Sequence, residues 1–190
     1  MKGLAEKYNK ELKPKLQKDL GLKNIMSVPK ITKIVINIGL GKAAQNKQWV
    51  EIAQSILERI SGQKPVLTKA RKSISNFKIR EGMVVGAKVT LHGQKMYDFL
   101  DKLVNATFPR LRDFHGIDLK KGFDKNGNYT IGFVEHIIFP EIGMDDVDKV
   151  HGLELTISTS AKDDKQTLAL LRAFGFPFKK DKPAKGGVNK

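Results

Sequence analysis

The chain has 190 residues, 40% of them hydrophobic, which is enough for one sizeable core and too few for two ordinary domains. Thirty-five Lys and Arg against 20 Asp and Glu give a net charge of +15; because each cation set on a phosphate releases condensed counterions, nucleic acid is the favoured partner class. The absence of cysteine excludes disulfides and thiolate zinc sites, and with no run near the ~18 apolar residues of a membrane span, neither export nor insertion is expected and the setting is cytoplasmic.

The charge is uneven along the chain. Residues 1–80 carry 18 basic and 5 acidic side chains, residues 81–178 carry 12 and 14, and residues 179–190 carry 5 and 1. Two surfaces with different partners follow from that asymmetry. A single surface Lys does no more than keep a protein soluble, but a block this basic asks for a polyanion.

Leu4, Tyr8, Leu12, Leu16 and Leu20 recur every four residues and predict an amphipathic helix with Lys2, Lys7, Lys10, Lys13, Lys15 and Lys18 on its remaining surface. Pro14 should kink or split it. From Lys30 to Leu40 the period drops to two. Ile34, Ile36, Ile38 and Leu40 take one face of a strand, with Lys33, Val35, Asn37 and Gly39 on the other. Trp49, Ile52, Ala53, Ile56, Leu57 and Ile60 return to helical spacing, and Gly62 stands where a left-handed cap would end the helix.

A second strand is predicted near Gln63–Lys69. In a third, Val85, Ala87, Val89 and Leu91 face inward and Gly86, Lys88, Thr90 and His92 outward. Met96, Phe99, Leu100, Leu103 and Val104 mark a further helix. Asn126-Gly127 between Phe123 and Tyr129 signals a tight hairpin with short flanking strands. A last strand near Gly152–Ser158 leads into a helix with Ser160 and Asp163 at capping-box spacing, apolar Leu168 and Leu171, and Gly175 then Pro177 as the stop. Residues 1–178 are read as a single domain and 179–190 as a basic disordered tail. The fold class is α+β: a mainly antiparallel sheet with helices packed on one face and an open face able to hold RNA.

The strongest local feature is ARKSISNFKIREG, residues 70–82, a long cationic loop between two strands. Arg71, Lys72, Lys78 and Arg80 accompany Phe77, a combination suited to phosphate contact and to stacking on an unpaired base. The competing reading is a loose loop whose Ile74, Phe77 and Ile79 fold back on the core.

Gly39-Leu40-Gly41 with Ala44 matches G-x-G-x-x-A after a strand, with Glu58 near the offset of a ribose-binding acid. However, Glu58 falls within a helical pattern and no second mononucleotide-binding half follows. The glycines are better read as letting the backbone turn or approach an RNA backbone closely. His92, His115, His136 and His151 show no metal-ligand spacing, and no motif pairs a nucleophile with a base, so no cofactor, metal site, catalytic residue or small-molecule substrate is predicted. From Glu135 to Asp164 eight acids stand against Lys149 and Lys162. By default this is a solvated face, but on a basic protein it would repel RNA and could dock a cationic protein.

Six blocks, KIVINIGLGKA (33–43), TKARKSISNFKIREG (68–82), KVTLHG with MYDFLDKL (88–103), FPRLRDFHG (108–116), GNYTIGFVEHIIFPEI (127–142) and LELTISTSAK (153–162), resemble the bacterial family of the fifth large-subunit ribosomal protein. The resemblance runs in register from residue 1 to about 178. It implies a non-enzymatic structural constituent of the large subunit that attaches 5S ribosomal RNA in the central protuberance, with further contacts to the large-subunit ribosomal RNA. Polar sheet residues of that family map onto Asn37, Gln63 and Thr90, and the 5S-binding set expected here is Lys10, Lys13, Lys33, Asn37, Gly39, Gly41, Gln63, Lys88 and Thr90.

The resemblance also implies that the loop, through Arg71, Lys72, Ser73, Asn76, Phe77, Lys78 and Arg80, reaches the peptidyl-site tRNA. Asp145, Asp146 and Asp148 would bridge to a basic protein of the small-subunit head. Ser75 stands where alanine is usual in the family, and the Lys-rich tail extends past its common end. A general RNA chaperone or RNA-binding regulator is the competing class, distinguished by comparable affinity for any RNA.

Overall fold

The computed structural model describes residues 3–41, 46–111, 116–118, 122–143 and 151–179. Its first helix runs through α1 (Leu4–Lys7), a π-helical turn (Tyr8–Leu12) and α2 (Lys13–Asp19). Pro14 has no N–H to donate and its ring crowds the preceding turn. The helix accommodates it by widening just upstream, where the Lys13 N–H reaches back five residues to the Tyr8 carbonyl. Pro14 therefore neither splits the helix nor leaves it regular. The same arrangement recurs where α4 (Gly93–Lys102) passes through a π turn (Leu103–Thr107) into α5 (Phe108–Arg110), again two residues ahead of a proline, Pro109.

Five strands form one antiparallel sheet in the order β2-β3-β1-β5-β4: β1 (Ile31–Gly39), β2 (Val66–Lys69), β3 (Val84–Leu91), β4 (Tyr129–Phe133) and β5 (Leu153–Thr159). The most apolar alternation in the chain occupies the central strand. Ile34, Ile36 and Ile38 of β1 are completely buried and lie beside Leu91, Val89 and Ala87 of β3. Ile34 and Ile36 also lie beside Ile157 and Leu155 of β5. Each such side chain contributes roughly 1.5–3 kcal/mol of burial.

The helices cover this apolar face. In α3 (Lys47–Ser61), Ala53, Ile56, Leu57 and Ile60 are buried. Asn46 caps its start by accepting the Gln48 N–H, and Gly62, at φ 62°, ends it in the left-handed conformation that a residue with a Cβ adopts at a cost. Helices α2, α4 and α6 (Asp164–Ala173) join the same core through Leu16, Phe99, Leu100, Leu170 and Leu171. Tyr8 stacks against Tyr97 and Phe174 and donates its hydroxyl to the Pro29 carbonyl, fixing the first helix onto this layer.

Three sequence expectations change. Asp163 occupies the N-cap of α6 without a side-chain cap bond, and Ser160 is not its capping partner: its hydroxyl accepts the Lys30 N–H 130 residues away, joining the start of β1 to the end of β5. Around Asn126-Gly127 only the C-terminal flank is a strand, because the other flank is reduced to a single bridge, Phe123 to Tyr129. The turn is closed by the Gly127 N–H on the Asp124 carbonyl, with Gly127 at φ 72°. Finally, Gly86 is buried although its neighbours on that side of β3 are not; a Cβ there would meet the Ile38 carbonyl oxygen at 2.5 Å. The expected tail lies almost wholly outside the described residues.

Candidate nucleic-acid interface

Because partners in an antiparallel register share a face, the outward positions of the sheet can be read as rows crossing it. One row runs Val66 (β2), Lys88 (β3), Asn37 (β1), Glu154 (β5), Gly132 (β4). The next runs Thr90, Val35, Thr156, Thr130, and beyond it Lys33 lies beside Ser158. These residues are exposed or half-buried, while their chain neighbours face the core. The open face is thus a short-chain polar surface with two cations, one acid and almost no large apolar side chains. The exceptions are Val35, half-buried within the face, and Val66, 63% exposed at the β2 edge.

The predicted set falls into separate places. Lys33, Asn37, Gly39, Lys88 and Thr90 share the open face. Gln63 joins them at the rim, where its side-chain amide donates to the Thr90 carbonyl at 3.2 Å and so ties the entry of β2 to β3. Gly41, at φ 51°, lies just past the end of β1. Lys10 and Lys13 belong to the first helix, which packs in the helical layer; Lys10 is exposed beside Glu6 at 3.5 Å, an exposed pair that adds little stability. Among the described residues no three His, Cys, Asp or Glu come together as a metal site, and Glu58 lies within α3 rather than at a strand end.

The 70–82 loop is a built hairpin extension between β2 and β3. The Ile74 and Ile79 backbones exchange two hydrogen bonds, Ser75–Phe77 makes a single 3₁₀ turn, and Lys78 closes it at φ 53°, the one non-glycine residue with positive φ among those described. Ser73 accepts the Glu81 N–H at 2.9 Å, so its hydroxyl serves the loop itself. Arg71, Lys72, Asn76, Lys78 and Arg80 are all exposed. Ile74 and Phe77 are 46% and 63% exposed, and Ile79, half-buried, does not pack against the core either, so the three do not fold back as the loose-loop alternative required. An exposed ring among four cations on a braced backbone can stack on a base while its neighbours meet phosphates.

The acidic run does not form one face among its described members. Glu141 pairs with Lys102 at 2.6 Å, in a partly buried site where Lys102 also donates to the Ile60 carbonyl and so caps the end of α3. Glu154 is on the open sheet face, and Asp163 and Asp164 begin α6. Asp145, Asp146 and Asp148 lie outside the described residues. Sequence reasoning missed Thr130, Glu154, Thr156 and Ser158 as face residues, although Leu153, Leu155 and Ile157 alternate with the last three and carried the signal.

Two family profiles cover most of the chain: one described as "Ribosomal protein L5" matches residues 24–80, and one describing the C-terminus of the same ribosomal family matches residues 84–178. The chain belongs to the L5 family of ribosomal proteins. It is 55% identical over 179 residues to the large ribosomal subunit protein uL5 of Geotalea daltonii, an alignment covering 94% of this chain and 99% of that one. It is 52% identical to the uL5 proteins of Halothermothrix orenii and Psychrobacter arcticus, again over 94% of its length and 99% and 100% of theirs. The L5 family is one of ribosomal proteins, not of enzymes. The break between the two profiles, residues 81–83, falls where the hairpin extension returns to β3.

Proposed function

We propose that this L5-family protein binds 5S ribosomal RNA with its open sheet face and first helix and attaches it to the large subunit in the central protuberance, with further contacts to the large-subunit ribosomal RNA. The observation that carries the reading is the face itself: Lys33, Asn37, Lys88 and Thr90 stand together on an uncovered side of a sheet in a protein of charge +15. On such a face the lysines meet phosphates and fix position, while Asn37 and Thr90 offer the donors and acceptors that distinguish one folded RNA from another. Lys10 and Lys13 add contacts from the first helix. Gly39 and Gly41 allow an RNA backbone to come close, since a Cβ at either would meet open space.

The braced loop, with Arg71, Lys72, Ser73, Asn76, Phe77, Lys78 and Arg80, contacts the peptidyl-site tRNA. Asp145, Asp146 and Asp148 dock a basic protein of the small-subunit head, forming an intersubunit bridge. The protein works in the cytoplasm, within the ribosome.

The test is affinity for 5S ribosomal RNA against a length-matched structured RNA at roughly 0.2 M salt, where nonspecific phosphate binding is already weakened. A preference of about 10³-fold or more, of the order specific nucleic-acid binders reach, is expected. Equal affinities would replace this reading by a general RNA chaperone.

A further inference from the structure

The acid on the open face, on the strand next to the β4 edge, is out of place on a surface that meets RNA, and its surroundings indicate a role. Glu154 lies directly beside Asn37 on β1, with Lys88 one strand further in the same row. On its other side the register partner is Gly132 of β4, which bears no side chain and where a Cβ would meet nothing within 4 Å. Glu154 is exposed, and among the described residues no ion pair or hydrogen bond occupies its carboxylate. Lys88, two strands away across the row at about 4.8 Å per strand, makes no ion pair with it among the described residues.

A carboxylate held free between an amide and an empty position repels phosphate, so RNA docks here only if it presents hydrogen-bond donors. Nucleobase edges present them. Guanine carries two adjacent ones, N1–H and N2–H, which match the two oxygens of one carboxylate. An unpaired base with its Watson–Crick edge outward is the form in which RNA is read in sequence, and acidic side chains accept from base amino groups in nucleic-acid complexes generally.

We infer that Glu154 is a specificity-determining residue of the RNA-binding face, accepting the paired N–H donors of an unpaired guanine in a ribosomal RNA. The inference rests on the proposed use of the sheet face for RNA. The base comes from 5S ribosomal RNA or from the large-subunit ribosomal RNA, since either can present that edge.

The experiment uses the full chain and its Glu154→Gln and Glu154→Ala variants, measured against 5S ribosomal RNA, the large-subunit ribosomal RNA and a length-matched structured control across a salt series. Because the residue is exposed, unchanged thermal unfolding is expected and is checked alongside. If Glu154 reads a base, both variants lose roughly tenfold affinity for whichever ribosomal RNA supplies it, with the salt slope and control binding unchanged. Variants that bind every RNA as tightly as the parent, or more tightly, overturn the inference: Glu154 is then only a tolerated repulsive charge. A parent that itself prefers neither ribosomal RNA over the control overturns the proposed function and this inference with it, so the two failures are distinct.

Discussion

Lys88 and Asn37 are register partners on adjacent strands, and substituting each should produce a different kind of defect. Lys88 is exposed and acts as a point charge, so Lys88→Ala should remove one phosphate contact. The slope of log affinity against log salt then falls by about 0.7 for a single-stranded site or about 0.9 for a duplex. Lys33 lies four residues further along β1, which at about 3.4 Å per residue and about 4.8 Å per strand puts it roughly 14 Å from Lys88, far enough to engage a different phosphate.

The double variant Lys33→Ala, Lys88→Ala should therefore lose about 1.4–1.8 in slope. Asn37→Ala should leave the slope unchanged and weaken 5S binding by about 1–3 kcal/mol, roughly 5- to 150-fold at any salt, the value of a bidentate base contact. None of these exposed or half-buried positions should alter stability by more than about 0.5 kcal/mol. Fluorescence anisotropy with labelled 5S ribosomal RNA between about 0.1 and 0.4 M salt resolves both quantities. A slope that drops on Asn37→Ala, or survives loss of both lysines, would refute the division of labour on this face.

Four further outcomes are expected. Replacing Arg71, Lys72, Lys78 and Arg80 together by Ala should leave 5S affinity intact while weakening tRNA retention on assembled ribosomes, measured by filter binding; lost 5S affinity would move the loop to the other interface. Ile36→Ala, at a fully buried position of the central strand, should cost about 2–5 kcal/mol in urea unfolding, and a value under about 1 would contradict its place in the core. Thr159 and Thr167 both donate to the Gly127 carbonyl at 2.7 Å, so Thr159→Val or Thr167→Val alone should cost about 1 kcal/mol. The double variant should cost more than the sum because the carbonyl loses both donors, and strict additivity would argue against the shared acceptor. The Asn128 side-chain amide and backbone N–H, and then the Asn126 N–H, hold the Asp124 carboxyl below its ordinary value near 3.8. Its charged form therefore stabilises the turn above that value, and the contribution disappears as pH falls through the depressed one, so Asp124→Ala should destabilise the protein at neutral pH and match the parent in strong acid.

The sequence was informative where a period persists over several turns or a whole strand. Ile34, Ile36 and Ile38 define β1 and its inner face, and with Val85 to Leu91 they turn Lys33, Asn37, Lys88 and Thr90 outward on alternation alone. The run from Trp49 to Ile60 followed by Gly62 likewise defines α3 and its end. What stayed hidden is non-local. Ser160 reads as a helix cap by spacing, but it is drawn to the Lys30 N–H by the pairing of β1 with β5. The acids from Glu135 to Asp164 look like one patch because they are close in sequence, yet strand pairing sends Glu154 to the open face and a partner on α4 takes Glu141. Exposure of Ile74 and Phe77 depends on backbone bonds across the hairpin extension, which composition does not encode.

The central claim is that the open side of the sheet meets 5S ribosomal RNA. A photo-crosslinking side chain placed at Thr90 on the open face, or at Ser55 on the exposed side of α3, tests it directly in the complex with 5S RNA. A strong crosslink from position 90 and none from position 55 is the expected result. Crosslinking from position 55 with none from position 90 would contradict it.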